Sequence, residues 1–254
     1  MRRKTYFRPL SAGVILFVAG LTLMACSPEK EQNAVSSQSA SATVKNKGSR
    51  TQIVDIAASQ YRGIAIIQSK SYPDGFGTGS FISSDTLITN RHVLTAIENA
   101  EDAVIRVVDE NNQFVDLPVK SFAIPNDESM DVGIVKLQSP ITSSSDLKNI
   151  KPFVLADNKI IDKVKANQSI RTVGYPGDKD YGSLWNSQGT ILEKDGNFLK
   201  FTAPIAGGSS GSPLFNEDNQ LIGLSNASTD DINNPMSFGF LFDSKIRDFI
   251  EKNK

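Results

Sequence analysis

One cysteine and one histidine are all that the 254 residues contain of either type. That scarcity excludes a disulfide framework and a Cys/His zinc cluster, and no other metal constellation or cofactor motif is visible. An excess of basic charge is missing too, because 27 basic residues face 28 acidic ones for a formal net charge of −1. Four of the basic residues, Arg2, Arg3, Lys4 and Arg8, lie in the first 25, which hold no acid; the rest of the chain has 23 basic against 28 acidic. Such a body has no surplus with which to neutralise phosphate, so nucleic acid is not expected as a partner. What is present is ordinary for a globular protein: 39% apolar and 22% charged residues, with 18 Gly and 11 Pro.

The long hydrophobic run is confined to the start. Residues 9–25 carry no charge after a basic opening, and 17 residues are fewer than the roughly 20 of a bilayer-spanning helix. This is the form of a secretory signal. The sole cysteine follows at once, in Leu23-Met24-Ala25-Cys26, which resembles the lipobox of bacterial lipoproteins. That resemblance implies cleavage before Cys26 and acylation of Cys26, with enough acyl chains to hold the protein on a membrane. An exported, lipid-anchored protein is therefore expected, at the periplasmic or outer-membrane face of a Gram-negative cell or the surface of a Gram-positive one. Residues 26–52 are rich in Ser, Gln, Asn, Lys and Ala and are expected to form a flexible tether. A coil of that length reaches about 28 Å.

Residues 53–254 form the body. Short β-branched or aromatic segments recur at 53–57, 64–69, 77–82, 86–90, 103–108, 114–123, 132–137, 169–175, 190–193, 198–202, 213–215, 220–225 and 237–242, punctuated by Gly, Pro and Asp. Their spacing points to an all-β sandwich or barrels rather than βαβ units. Lys194-Asp195-Gly196-Asn197 has the composition of a hairpin turn. A helix is expected at 243–253, with Ile246, Phe249 and Ile250 on one face and Asp243 or Ser244 as its cap. The segment 139–150 breaks the strand pattern and divides the body in two. No internal sequence repeat is found.

Three places carry chemistry. Thr89-Asn90-Arg91-His92-Val93 holds the histidine directly after a strand segment. Asp131 leads an apolar strand, Val132-Gly133-Ile134-Val135-Lys136-Leu137. Gly207-Gly208-Ser209-Ser210-Gly211-Ser212-Pro213 is built of small residues that let a backbone turn its N–H groups toward one point, as an oxyanion site requires. Each alone has a bland reading: a structural histidine, a turn acid, a plain Gly/Ser loop. The order His, Asp, Ser with a Gly-x-Ser-Gly register is the order of one serine-protease triad.

With Val173-Gly174-Tyr175-Pro176-Gly177-Asp178-Lys179, these segments resemble chymotrypsin-fold serine peptidases, in the branch of the staphylococcal glutamyl endopeptidases and exfoliative toxins. The resemblance implies two six-stranded antiparallel β-barrels, the first about 53–140 and the second about 150–242, followed by the C-terminal helix at about 243–253. It implies a serine endopeptidase acting on peptide or protein substrates through an acyl-enzyme. Ser210 would be the nucleophile, His92 the base and Asp131 its orienting partner, with the N–H groups of Gly208 and Ser210 binding the oxyanion. Ser209 and Ser212 are rival nucleophiles, and Asp127 is a stand-in for Asp131. A monomer is expected.

The sequence also departs from that branch. Where glutamyl endopeptidases carry Gly-Ile-His-Trp-Gly, this chain has Gly223-Leu224-Ser225-Asn226-Ala227, and where they have a Thr five residues before the nucleophile it has Ile205. Ile205, Ser225 and Ala227 are the expected specificity-pocket residues, and the expected preference is for small or medium uncharged residues before the scissile bond. Trypsin-like zymogens pair a freed N-terminal amine with an Asp just before the nucleophile; here that position is Ser209. The oxyanion loop is thus expected to form without processing. Alternative readings are a catalytically silent binding or adhesion module at the cell envelope, an esterase, and a stress protease with PDZ domains, for which the 44 residues after Ser210 leave no room. Asp230 and Asp231 are read as a solvated loop pair.

Overall fold

A computed structural model describes residues 48–229 and 236–254. The expected signal segment, Cys26, most of the expected tether, and Asp230 with Asp231 lie outside the described residues.

The first strands alternate faces that are both covered. β2 (Ile64–Ser69) is buried at every position. Ala65 and Ile67 turn into one cluster with Phe81, Leu87, Ile105 and Val135, while Ile64 and Ile66 join another with Ile88, Ile134, Val173, Tyr175 and Phe215. The two-residue period of a strand makes this split. The first cluster fills a closed barrel in the order β2, β3 (Phe76–Phe81), β4 (Thr86–Thr89), β7 (Gly133–Leu137), β6 (Phe114–Ala123), β5 (Ala103–Val108). The second cluster lies between this barrel and the next. Truncating a residue such as Ile66 to Ala would cost about 2–5 kcal/mol, because neither face can relax into solvent.

The second barrel runs β9 (Leu184–Asp195), β10 (Phe198–Phe201), β13 (Ser237–Leu241), β12 (Leu221–Ser228), β11 (Pro213–Phe215), β8 (Ser169–Gly174), and the β8–β9 pairing closes it. All its pairings are antiparallel. Leu199, Phe201, Leu214, Ile222 and Leu241 fill its interior. The expected hairpin turn is present, with Asp195 opposite Phe198 and Gly196 at φ +57°. Among the described residues three α-helices accompany the barrels: α1 (Arg91–Ile97), α2 (Asn158–Asp162) and α3 (Ser244–Asn253). Asp243 caps α3 by accepting the Ile246 N–H at 2.9 Å, and Ile246 and Ile250 are its buried residues. Two closed six-stranded antiparallel barrels and a C-terminal helix are the architecture.

Boundaries differ from expectation at two places. The strand expected at 190–193 is the longer β9, beginning at Leu184. Residues 54–57 are not a strand: Asp55 accepts the Ala58 N–H at 3.0 Å and the Asn112 amide at 2.9 Å, which folds the chain into a turn. The strand lies earlier, as β1 (Ser49–Ile53), so residues 49–52 belong to the folded body rather than to a tether. β1 pairs with β9, at the outside of the second barrel. Its polar composition hides it, since its order comes from backbone pairing to the edge of β9 and from Arg50. The Arg50 guanidinium bonds both oxygens of Asp178, at 3.0 and 2.7 Å, and donates to the Pro204 carbonyl at 3.1 Å.

Candidate active site

The antiparallel register Thr89↔Gly133 places the end of β4 beside the start of β7. His92, three residues past that pair, and Asp131, two residues before it, therefore meet at one rim of the first barrel. Asn90 precedes α1 in extended conformation, and its side-chain amide donates to the Asp131 carbonyl at 3.0 Å. Gly133 lets α1 pack close, since an added Cβ would stand 2.6 Å from Leu94 Cδ1 and displace that side chain. The result is a close pair. His92 Nδ1 lies 3.0 and 2.9 Å from the two Asp131 oxygens, and the His92 backbone N–H donates to the first of them at 3.0 Å.

An acceptor of that kind puts the proton of a neutral imidazole on Nδ1 and leaves Nε2 with a lone pair. The side chain of Asp131 is 22% exposed and that of His92 48%, so the carboxylate is the sheltered member and the ring faces the cleft. Asp127 takes no part. Its carboxylate accepts the hydroxyl and N–H of Ser129, which hold it below the usual carboxylate range, and meets Lys245 at 3.4 Å.

From the second barrel comes the loop 206–212. Gly208 and Gly211 have φ of +86° and +84°, which only glycine adopts without strain. The carbonyls are tied down one after another: Gly207 accepts Gly177 N–H at 2.6 Å, Gly208 accepts the Thr78 hydroxyl at 2.9 Å, Ser209 accepts the Ser212 N–H at 2.9 Å, and Ser210 accepts the Thr78 N–H at 2.8 Å. In a planar trans peptide the N–H points away from the C=O. Fixing a carbonyl therefore also fixes the direction of its partner amide. The N–H of Ser209 bonds Ala206 and that of Gly211 bonds Ser225, whereas those of Gly208 and Ser210 donate to no protein group among the described residues.

Of the three loop serines, Ser209 and Ser212 are buried and Ser210 is half-buried. Ser210 and His92 line the same cavity of about 240 Å³, together with Tyr72, Phe76, Val93, Ala96 and Ile97. A hydroxyl, an imidazole oriented by a carboxylate, and two outward amides can attack a carbonyl and hold the oxyanion that forms.

The expected pocket residues are placed differently from one another. Ile205 is half-buried beside Pro204, and Ala227 is exposed on β12. Ser225 is fully buried beneath the loop, its hydroxyl donating to the Ser209 carbonyl at 3.0 Å, so it braces the backbone and offers no hydroxyl to a substrate. None of the three lines the cavity shared by His92 and Ser210. Sequence reasoning gave Thr78, Gly177 and Phe76 no role in the site. Alternating glycines in Gly77-Thr78-Gly79 were the available signal, because glycine within a strand marks a close approach of backbone.

The sequence profile of the family described as "Trypsin-like peptidase domain" matches residues 77–224. Among curated proteins, the chain is similar to the glutamyl endopeptidases of Staphylococcus aureus strains MRSA252 and MW2. Identity to each is 28% over 209 residues, covering 80% of this chain and 57% and 62% of those proteins. The chain thus matches about three-fifths of the length of these relatives. Among solved structures, a Glu endopeptidase in complex with MPD superposes with a TM-score of 0.65 at 21% identity, covering 81% of this chain and 96% of that one. This likeness concerns the fold.

Proposed function

The chain belongs to the trypsin-like peptidase family, and on that premise we propose that it is a serine endopeptidase using His92, Asp131 and Ser210. One observation carries the reading: His92 Nδ1 is held by Asp131 while His92 and Ser210 share one cavity beside two unpartnered amides. His92 Nε2 takes the Ser210 proton as Oγ attacks the scissile carbonyl. Asp131 stabilises the imidazolium and keeps its tautomer. The amides of Gly208 and Ser210 receive the oxyanion, each contributing about 3–4 kcal/mol to the transition state. His92 then protonates the leaving amine, and water repeats the cycle on the acyl-enzyme.

Because His92 delivers that proton, the leaving half of the substrate lies on its side, in the cavity of Tyr72, Phe76, Val93, Ala96 and Ile97. The acyl half lies toward Pro204, Ile205 and Ala227. The relatives are named glutamyl endopeptidases; among the described residues the cation beside Pro204 is Arg50, whose Nη1 is paired with Asp178 and whose Nε donates to the Pro204 carbonyl, so its charge is already matched. A small or medium uncharged residue before the scissile bond fits this wall. Acylation of Cys26 would hold the domain at the cell envelope as a monomer; labelled palmitate incorporated by the wild type and not by Cys26→Ser checks that anchor.

The test is a cleavage profile of the full chain on a diverse peptide library, beside Ser210→Ala. Hydrolysis by the wild type alone is expected. Silence from both proteins overturns the peptidase reading.

A further inference from the structure

We infer that Thr78 is a positioning residue for the proposed reaction, a single side chain of the first barrel that aims the oxyanion amides of the second. The inference rests on the peptidase reading and adds to it a residue outside the triad. Thr78 lies in β3 and is completely buried. Its hydroxyl donates to the Gly208 carbonyl at 2.9 Å and accepts the Tyr175 N–H at 3.1 Å. Its backbone N–H donates to the Ser210 carbonyl at 2.8 Å. Its carbonyl accepts the Thr89 hydroxyl at 2.7 Å, three residues before His92. Four hydrogen bonds therefore join one residue to the histidine side and the serine side of the cleft.

The hydroxyl matters most because of what it holds. Gly207 and Gly208 are adjacent glycines, the residues least able to fix their own backbone. Among the described residues the peptide plane before Gly208 is held only through the Gly207 carbonyl, by Gly177. The plane after it is held through the Gly208 carbonyl, by Thr78, and through the Ser209 N–H, by Ala206. Tyr175, the other partner of the Thr78 hydroxyl, is two residues from Gly177. One hydroxyl thus secures the segment that restrains Gly207 as well as Gly208 itself. Without it the Gly208 amide keeps only the Gly207–Gly177 bond on its own plane and turns more easily out of line with a developing oxyanion, while the surfaces that bind the substrate stay in place. The loss should fall on kcat rather than on KM.

The experiment compares Thr78→Val, Thr78→Ser and Thr86→Val in the full chain. Valine keeps the branched shape and removes the hydroxyl. Thr86 is an equally buried threonine at the far end of β4 and serves as a stability control. Active sites are titrated with a fluorophosphonate so that rates refer to folded enzyme. Thr78→Val is expected to lose about tenfold or more in kcat, with KM little changed and with a parallel loss of affinity for a peptide aldehyde, whose adduct carries the oxyanion. Thr78→Ser is expected to restore kcat, and Thr86→Val to melt earlier with kcat unchanged. Should the valine variant not fold, Thr78→Cys, which keeps only a weak donor, makes the same comparison. Wild-type kcat per titrated site in the hydroxyl-free variant overturns the inference. Hydrolysis lost on Ser210→Ala secures the peptidase reading separately, and a wild type that hydrolyses nothing overturns both.

Discussion

Phe76 occupies the space that a side chain on residue 208 would need: a Cβ built on Gly208 would stand 2.5 Å from Phe76 Cε2 and 2.6 Å from the Tyr175 carbonyl. The φ of +86° adds a second demand for glycine at the same position. Gly208→Ala is therefore expected to displace the amide that faces the oxyanion, with kcat falling about 100-fold or more and KM little altered. The left-handed conformation itself costs a non-glycine residue about 1–2 kcal/mol. Steady-state kinetics and a thermal melt on the same sample separate the two effects.

The orientation of His92 by Asp131 gives a sharper test. Asp131→Asn keeps the shape of the side chain but replaces one accepting oxygen by a donor, which favours the wrong imidazole tautomer. A fall in kcat of about 10⁴ is expected near neutral pH, the size seen for this substitution in a comparable triad. Asp127→Asn removes an acid engaged by Ser129 and Lys245, so kcat should stay within about twofold of the wild type, as for surface changes generally. Equal losses in the two variants would mean that the pair seen in the structure does not orient the base.

The cavity beside His92 makes a prediction about substrates. Ile67, Phe76, Val93 and Ile97 give it apolar walls, with Ala96 exposed among its lining residues on α1. About 240 Å³ is room for about eight waters at roughly 30 Å³ each, enough for one large side chain. Peptides with Leu, Ile, Met or Phe after the scissile bond should be cleaved about tenfold or more faster than those with Asp or Glu, which would lose hydration without gaining a partner. Ala96→Glu should lower that preference and raise cleavage before Lys and Arg. A library cleaved without regard to this residue would show that the cavity is not used.

Much of this could be read from the residues alone, and the reasons differ from element to element. Strand segments such as 64–69 announce themselves because burial on both faces selects Ile-Ala-Ile-Ile. His92, Asp131 and Ser210 stand out because each sits in an unusual local setting and their order is informative. β1 was hidden because Ser49, Arg50, Thr51 and Gln52 are ordered by pairing with a distant strand, which composition does not encode. The place of Ser225 after the loop does not encode that its hydroxyl turns beneath the loop to the Ser209 carbonyl. The flanking glycines of Thr78 mark a close approach of backbone but not its partners, since Gly208 and Tyr175 are 130 and 97 residues away in sequence.

Arg50 links the hidden strand to the site. Its Nη1 meets Asp178, the residue after Gly177, and its Nε meets the Pro204 carbonyl, the residue before Ile205. Gly177 in turn holds the Gly207 carbonyl at 2.6 Å. The arginine side chain is 14% exposed and the aspartate 48%, so this ion pair is partly screened, and its loss in Arg50→Ala should lower stability by about 1–2 kcal/mol. The same change should lower kcat/KM, because both tethered segments border the wall proposed for the acyl half of the substrate. Placing a specific protease site between Arg50 and Thr51 tests the direction of the coupling. Cleavage there cuts Ser49 and Arg50 away from the rest of β1, so activity should fall, as in Arg50→Ala. A rise in activity on cleavage would instead reveal a zymogen whose strand pairing restrains the loop, and would reverse the role assigned here to Arg50.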